Sequence, residues 1–344
     1  MSKRIHPLKV AMICGTWPPA RCGVGDYSDQ LCNALSAADV VVEKIQLDNW
    51  GLKGLPAYRA ALHDSDADIV HVQYPSVGYG RSYLPSMTRW LAGKRPCAVT
   101  LHEYEIFRSY RRPWFSPFSS FGARLFSRDA ERAAFQCSFP SKRGFDELVP
   151  IGSNIPVSTK ASDRAPGSVA FFGLFWPGKG IEAFLELAQM VRSRKDDQRI
   201  LSIIGAPVAG QEAFRDEIRT AAGRLNIKLH ENLNAADVAD VLAVHDFSYL
   251  PFPDGADERR GSLAATLVNG CLPITRFGDA TPDWMKSAFV EAKTPEEAYA
   301  IVAGDKLDEA TKRDLRTASA ALSQRYDWSG IAAKHIEIYE KLLK

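Results

Sequence analysis

Several stretches of this sequence put chemistry-bearing residues where the chain turns out of a β-branched run. In "LPFPDGADERRGSLAATLVNG", Asp257, Glu258, Arg259 and Arg260 crowd a turn that opens into a helix at Gly261 and Ser262. Two adjacent guanidiniums can clamp a diphosphate bidentately, and the neighbouring acids can reach hydroxyl groups. In "FFGLFWPGKGIEAF", Lys179 stands between two glycines at a helix start. A cation beside exposed helix N–H groups is a phosphate-binding arrangement, although the Gly-Lys-Ser/Thr ending of the triphosphatase loop is missing. "HVQYPSVGYG" and "TLHEYEIF" each end a predicted strand. A neutral imidazole at His102 can hydrogen-bond a hydroxyl and Glu103 can orient it, while His71, inside its strand, reads as a core histidine. Tyr74 closes the same strand as His71 and becomes a candidate for contacting a bound molecule.

The remaining stretch is "GTWPPARCGVGDYSDQL". Gly23 and Gly25 invite comparison with a dinucleotide fingerprint, and Asp48 follows at about the distance of a ribose-binding acid. The spacing argues otherwise. In that fingerprint the glycines turn directly off the strand, whereas here residues 17–22 intervene and Ser28 stands in place of the third glycine. A longer loop that ends in a glycine-opened helix still offers backbone N–H groups to an anion, with Arg21 beside them. A plain strand-to-helix turn is the competing reading.

The elements that must position these loops alternate along the chain. Strands are predicted at "KVAMIC", "VVVEKIQL", "ADIVHVQY", "PCAVTLHEY" and "CSFPSK", with amphipathic helices between them. A polar stretch, "IGSNIPVSTKASDRAPGS", then interrupts the pattern, which restarts with "SVAFFG", "RILSIIG", "IKLHENL", "DFSYLPF" and "LPITR". This reads as an α/β chain of two doubly wound Rossmann-like domains: 1–156, a linker at 157–167, 168–325, and a closing helix at 326–344. A deep interdomain cleft facing the carboxyl ends of both sheets is the expected ligand site. The length of 344 residues agrees with two cores. A net charge of +2 and the lack of a recognition motif argue against a nucleic-acid partner. Six scattered cysteines without metal-ligand spacing read as reduced thiols, and no apolar run approaches a membrane span. A cytoplasmic protein is expected, at most peripheral on the inner face of a membrane.

With these loops assembled, the chain resembles the GT-B glycosyltransferases of the family 4 type, which use a nucleotide-sugar donor. The matching pieces are "PPARCGVGDYSDQLCNAL", "DIVHVQYP", "TLHEY", "PIGSNIP", "FFGLFWPGKGIEAFLELA", "LSIIG", "DFSYLPFPDGADERRGSLAATLVNGCLPIT" and "YDWSGIAAKHIEIYEKLL", in family order from end to end. The resemblance implies that the N-terminal domain holds the acceptor, here through Arg21, Tyr74 and Glu103. It implies that the loop with Gly23 and Gly25 faces the donor phosphates, that His102 contacts the transferred sugar, and that Lys179 grips the diphosphate. It implies a last helix that returns to the N-terminal domain. It also implies retention of anomeric configuration with no cofactor and no essential metal.

Two positions depart from the family. Leu174 stands where an arginine is usual, and counting back from Gly270 the two family glutamates fall on Asp257 and Ala265. The second acid is therefore missing. The inference is that Arg259 and Arg260, with Gly261 and Ser262 at the helix start, replace the lost arginine's charge. Asp257 or Glu258 would then hold the sugar hydroxyls. A glycan or lipid-linked acceptor in polysaccharide assembly is expected. Residues 104–128 interleave arginines with aromatics, a composition suited to peripheral contact with an anionic membrane. Leu174 and Ala265 leave a catalytically degenerate nucleotide-sugar-binding protein as the alternative. A sugar epimerase of the same fold would need an acid/base set that the sequence does not display.

Overall fold

In a computed structural model the chain is described except for residues 1–5, 21, 106–108, 141–142, 161–162 and 195–196, and the side chains of residues 109–111. It divides into two compact units. The first comprises Met1–Gly152 with Trp328–Lys344, and the second Ser153–Asp327.

In the first unit six parallel strands, β1 (Lys9–Ile13), β2 (Val41–Ile45), β3 (Ile69–Tyr74), β4 (Cys97–Leu101), β5 (Ala123–Phe126) and β6 (Phe145–Leu148), lie in the order β2-β1-β3-β4-β5-β6. The central strands are buried on both faces, which is why β3 and β4 read as near-continuous apolar runs. One core layer is aromatic, with Tyr58, Tyr104, Phe115, Phe118, Phe121, Phe126 and Phe135 together. The other is built on the Gly23–Ala37 helix and the closing Trp328–Leu342 helix, which pack against each other.

The second unit has β7 (Ala165–Phe172), β8 (Leu201–Gly205), β9 (Lys228–Glu231), β10 (His245–Leu250), β11 (Leu272–Thr275) and β12 (Val290–Glu291), ordered β12-β11-β10-β7-β8-β9 and again all parallel. Parallel neighbours need crossover connections, so each sheet is wound in two directions from its first strand. The direction reverses between β1 and β3 in one unit and between β7 and β10 in the other. Loops at the carboxyl ends of those strands are where open α/β sheets bind ligands.

Two expectations are corrected. The described part of "CSFPSK", residues 137–140, is not a strand: Cys137 and Ser138 finish the Asp129–Ser138 helix, whose Glu131 and Phe135 are buried one turn apart, and residues 141–142 lie outside the described residues. A short apolar run carries no period of its own, and the helical repeat before it prevails. The missed strands β5 and β6 flank this helix instead. Of the arginine–aromatic stretch at residues 104–128, residues 106–108 and the side chains of 109–111 lie outside the described residues, and among the described ones Tyr104, Phe115, Phe118, Phe121 and Phe126 are core residues rather than surface ones. Arg124 is buried and ion-paired with Asp146, and Arg128 bridges Glu105 and Glu131. These described aromatics and arginines pack the first unit, while Glu105, Pro113 and Ser116 are exposed. No described helix is long and apolar enough to cross a membrane.

Candidate functional site

In the second unit, the loops following β7 and β10 are neighbours. A Cβ built on Gly180 would lie 2.8 Å from the Pro251 carbonyl oxygen, so the Lys179 loop rests against the start of the loop carrying Arg259 and Arg260. Gly178 and Gly180 have φ of 73° and 97°, values that a side chain would strain, and they bend the chain into the Ile181–Ser193 helix. The Gly178 N–H donates to Glu182, and Lys179 is exposed, with no ion-pair partner among the described residues. Neither that helix nor the Gly261–Val268 helix carries a side-chain cap at its N-terminus, so no capping side chain occupies the positive end of either helix dipole.

The turn before the Gly261–Val268 helix is organised by Asp257, which is 5% exposed. Its carboxylate accepts the Arg259 backbone N–H at 2.8 Å and the Arg259 guanidinium at 2.9 Å, with Arg260 Nε at 3.6 Å. Burial alone would push this carboxyl up. The bonds from Arg259 and the charge of Arg260 outweigh that and hold it below the usual carboxylate range. Arg260 lies over the Phe252 ring at 4.8 Å and reaches the Gly255 carbonyl, while Arg259 stays exposed. Asp257 therefore aims two guanidiniums from one turn. Glu258, half-buried, shares it, as does Ser262 after the exposed Gly261. Ala265 is fully buried beside Ala170, Ile204, Val238 and Leu242, a setting in which a carboxylate would be costly, whereas Leu174 is 58% exposed.

In the first unit, the loops after β1 and β3 press backbone to backbone. Gly78 N–H donates to the Thr16 hydroxyl at 2.7 Å, and a Cβ on Gly78 would meet the Gly15 carbonyl at 1.8 Å. The two glycines of the Gly23–Ala37 helix have different duties. A Cβ on Gly25 would strike the Thr16 carbonyl oxygen at 2.3 Å, so Gly25 permits close packing, while Gly23 is exposed with open space beside it. Arg21 lies outside the described residues.

His102 directly follows β4, and its N–H still bonds the Tyr74 carbonyl. The imidazole is 8% exposed, meets the edge of Tyr27 from the glycine helix at 4.8 Å, and hydrogen-bonds Gln73 Oε1 through Nε2 at 2.9 Å. Burial, reinforced by His335, brings its pKa down to about 3, so the ring is neutral at physiological pH. Glu103 points to the surface, and half-buried Tyr74 stacks on Tyr79 and touches Phe115 and Phe118. Tyr74, Ser76, Tyr79, Trp114 and Phe115 line a small recess of about 140 Å³. His71 is a core residue bonded to Tyr339 and Thr100.

Gln73 was not foreseen from the sequence. Its signal was present: His71 and Gln73 are two apart on a strand buried on both faces, so they share one side and must satisfy each other or their neighbours.

Comparison with known proteins identifies the architecture. No protein-family model and no curated protein matches the sequence. Solved structures do match: HepE of Anabaena in complex with UDP and glucose, with a TM-score of 0.64 and 14% identity over 97% of this chain and 100% of that one. Sucrose-phosphate synthase of Thermosynechococcus elongatus matches with a TM-score of 0.62 and 15% identity over 97% and 99%. A glycosyltransferase of Rickettsia africae matches with a TM-score of 0.65 and 10% identity over 98% and 99%. Two six-stranded parallel sheets with flanking helices, matched over nearly the whole of each chain, give this protein the two-domain α/β fold of the GT-B glycosyltransferases.

Proposed function

We propose that the protein is a glycosyltransferase that moves a sugar from a nucleotide-diphosphate sugar to a glycan or lipid-linked acceptor. The observation that carries this is the pair of touching loops after β7 and β10. They present Lys179, Arg259 and Arg260 at two helix N-termini without side-chain caps. Breaking a sugar–diphosphate bond puts positive charge on the anomeric carbon and negative charge on the leaving phosphate, and fixed cations with oriented N–H groups stabilise that change. Lys179, Arg259 and Arg260 hold the diphosphate, with Gly261 and Ser262 beneath it. They supply the counter-charge that a metal would otherwise provide, so no essential metal or cofactor is required. Asp257 acts by aiming the arginines, and Glu258 takes a sugar hydroxyl. His102 hydrogen-bonds a hydroxyl of the transferred sugar. Gly23 leaves room for a ligand, and Tyr74 and Glu103 contribute to the acceptor side.

Several matched structures support a nucleotide-sugar donor: HepE was solved with UDP-glucose, and a trehalose-6-phosphate protein of E. coli with a fluorinated UDP-glucose. Retention of anomeric configuration follows from the family resemblance, and NMR of the first-formed product decides it. The free cysteines, five of them buried, suit a reducing compartment such as the cytoplasm.

The test is thermal-shift screening against UDP, GDP, ADP and their sugars, followed by turnover on the donor that stabilises the protein. One nucleotide series should raise the melting temperature and support transfer. No stabilisation by any series removes the donor site. Stabilisation without turnover over a broad acceptor panel favours a non-catalytic binding protein, the reading that Ala265 in the core and exposed Leu174 support.

A further inference from the structure

Beneath His102 runs a buried chain of hydrogen bonds that ends on the closing helix. His102 Nε2 meets Gln73 Oε1 at 2.9 Å, and the Gln73 amide nitrogen faces Met12 Sδ at 3.3 Å and His71 Nε2 at 3.4 Å. His71 Nε2 also meets the Thr100 hydroxyl at 2.8 Å, and His71 Nδ1 meets the Tyr339 hydroxyl at 2.6 Å. His102, Gln73, His71, Thr100 and Tyr339 are all buried.

The direction of each bond follows from what these atoms can do. A thioether sulfur only accepts, so the Gln73 group beside Met12 is its NH₂ and the group beside His102 is its carbonyl oxygen. A carbonyl oxygen cannot donate, so the neutral imidazole of His102 carries its proton on Nε2. The other ring nitrogen, Nδ1, is then a bare acceptor, and it meets no partner among the described residues. His71 is neutral too, since burial lowers its pKa well below the ordinary value. With Gln73 and Thr100 donating to its Nε2, its Nδ1–H donates to Tyr339.

We propose that Gln73 is the positioning residue of His102: it fixes the Nε2–H tautomer and presents Nδ1 as a hydrogen-bond acceptor for a donor hydroxyl of the sugar, while His71 and Tyr339 of the closing helix fix Gln73. The choice of ligand rests on the glycosyltransferase reading; the tautomer does not. His102 thus recognises a hydroxyl that donates, and a sugar lacking that hydroxyl, or carrying it as an ether, loses the contact.

The experiment uses full-length protein with ¹⁵N-labelled histidine, the His102 signals being assigned by their loss in His102→Ala. In the wild type, Nε2 of His102 should give a pyrrole-type nitrogen and Nδ1 a pyridine-type one. In Gln73→Met, which keeps the volume and removes the acceptor, the two forms should mix. Transfer should fall about tenfold, the size of one hydrogen bond, with affinity for the nucleoside diphosphate alone unchanged. His102→Ala and the double variant should fall no further than each other. A wild-type His102 protonated on Nδ1, or a tautomer that Gln73→Met leaves unchanged, overturns the proposal even if Gln73→Met is otherwise inactive. If no donor supports transfer, the function fails, while the nitrogen signals still decide the role of Gln73.

Discussion

Under the switch-point loops of the first unit the polar groups are buried and neutral: His102, Gln73, His71 and Thr100 pair among themselves, and burial keeps the imidazoles uncharged. At the same place in the second unit they are exposed and cationic, with Lys179 and Arg259 at the surface and one buried carboxylate spent on orienting arginines. Both sheets are six-stranded, parallel and wound in two directions from their first strand, and they differ in what their loops can bind. A neutral buried network discriminates among hydroxyls by the direction of its hydrogen bonds, because a mismatched donor or acceptor there has no water to turn to. Exposed cations at helix ends attract phosphate with little regard for what it carries.

Removing the charge breaks this contrast most severely. Lys179→Ala combined with Arg259→Ala and Arg260→Ala should lower turnover by about a thousandfold or more, since a single stabilising donor at developing charge is worth roughly 10²–10³. Nucleotide binding, read by calorimetry, should weaken alongside and vary with salt. Near-wild-type turnover would sink the division of labour.

Acid should separate the two units. His71, His102 and His335 have native pKa values depressed by burial, the latter two to about 3 and about 4. Below the unfolded value of about 6.5 the unfolded chain binds protons that the native unit does not, so stability is whole above that pH and falls as pH drops toward the native values. Each such histidine contributes a slope of about 1.4 kcal/mol per pH unit between the two values. In the second unit His245, also lowered to about 4, carries the main comparable term, with a smaller one from His230. Asp257, depressed in its native state, keeps its contribution above the ordinary carboxylate pKa and loses it as pH falls through the native value. Hydrogen exchange between pH 7 and pH 5, corrected for the intrinsic amide rate, should show the first unit losing protection more steeply; equal losses would contradict this.

The smallest effects sharpen the glycine loop. Gly25→Ala should cost about 1–3 kcal/mol in chemical denaturation, because its Cβ meets the Thr16 carbonyl. Gly23→Ala, facing open space, should stay within about 0.5 kcal/mol and show its effect in ligand affinity instead.

Much of this was readable in advance where the signal is local. The doubly wound α/β class, the strand ends that carry His102 and Tyr74, the helix start at Gly261 and, to within two residues, those at Gly23 and Ile181 follow from periodicity and turn residues. The errors fell where the signal is short: β5 and β6 have four residues each, and β12 two. The arginines and aromatics of residues 104–128 could equally have faced outward, since composition does not say which side of a segment is covered.

Alternation along the chain and the chemistry of its loops were properties of the sequence itself, because backbone period and residue type act over a few neighbours. Three matters were left to the tertiary structure. Gly25 and Gly23 differ only through a carbonyl contributed by Thr16; Asp257 is a brace and not an open carboxylate only because its turn closes on Arg259; and the tautomer of His102 is set by Gln73, Met12 and His71 from two other strands. Each depends on atoms distant in sequence or on the folded turn meeting at hydrogen-bond or contact distance, where direction and exclusion of water decide the energy, and no local pattern encodes that meeting.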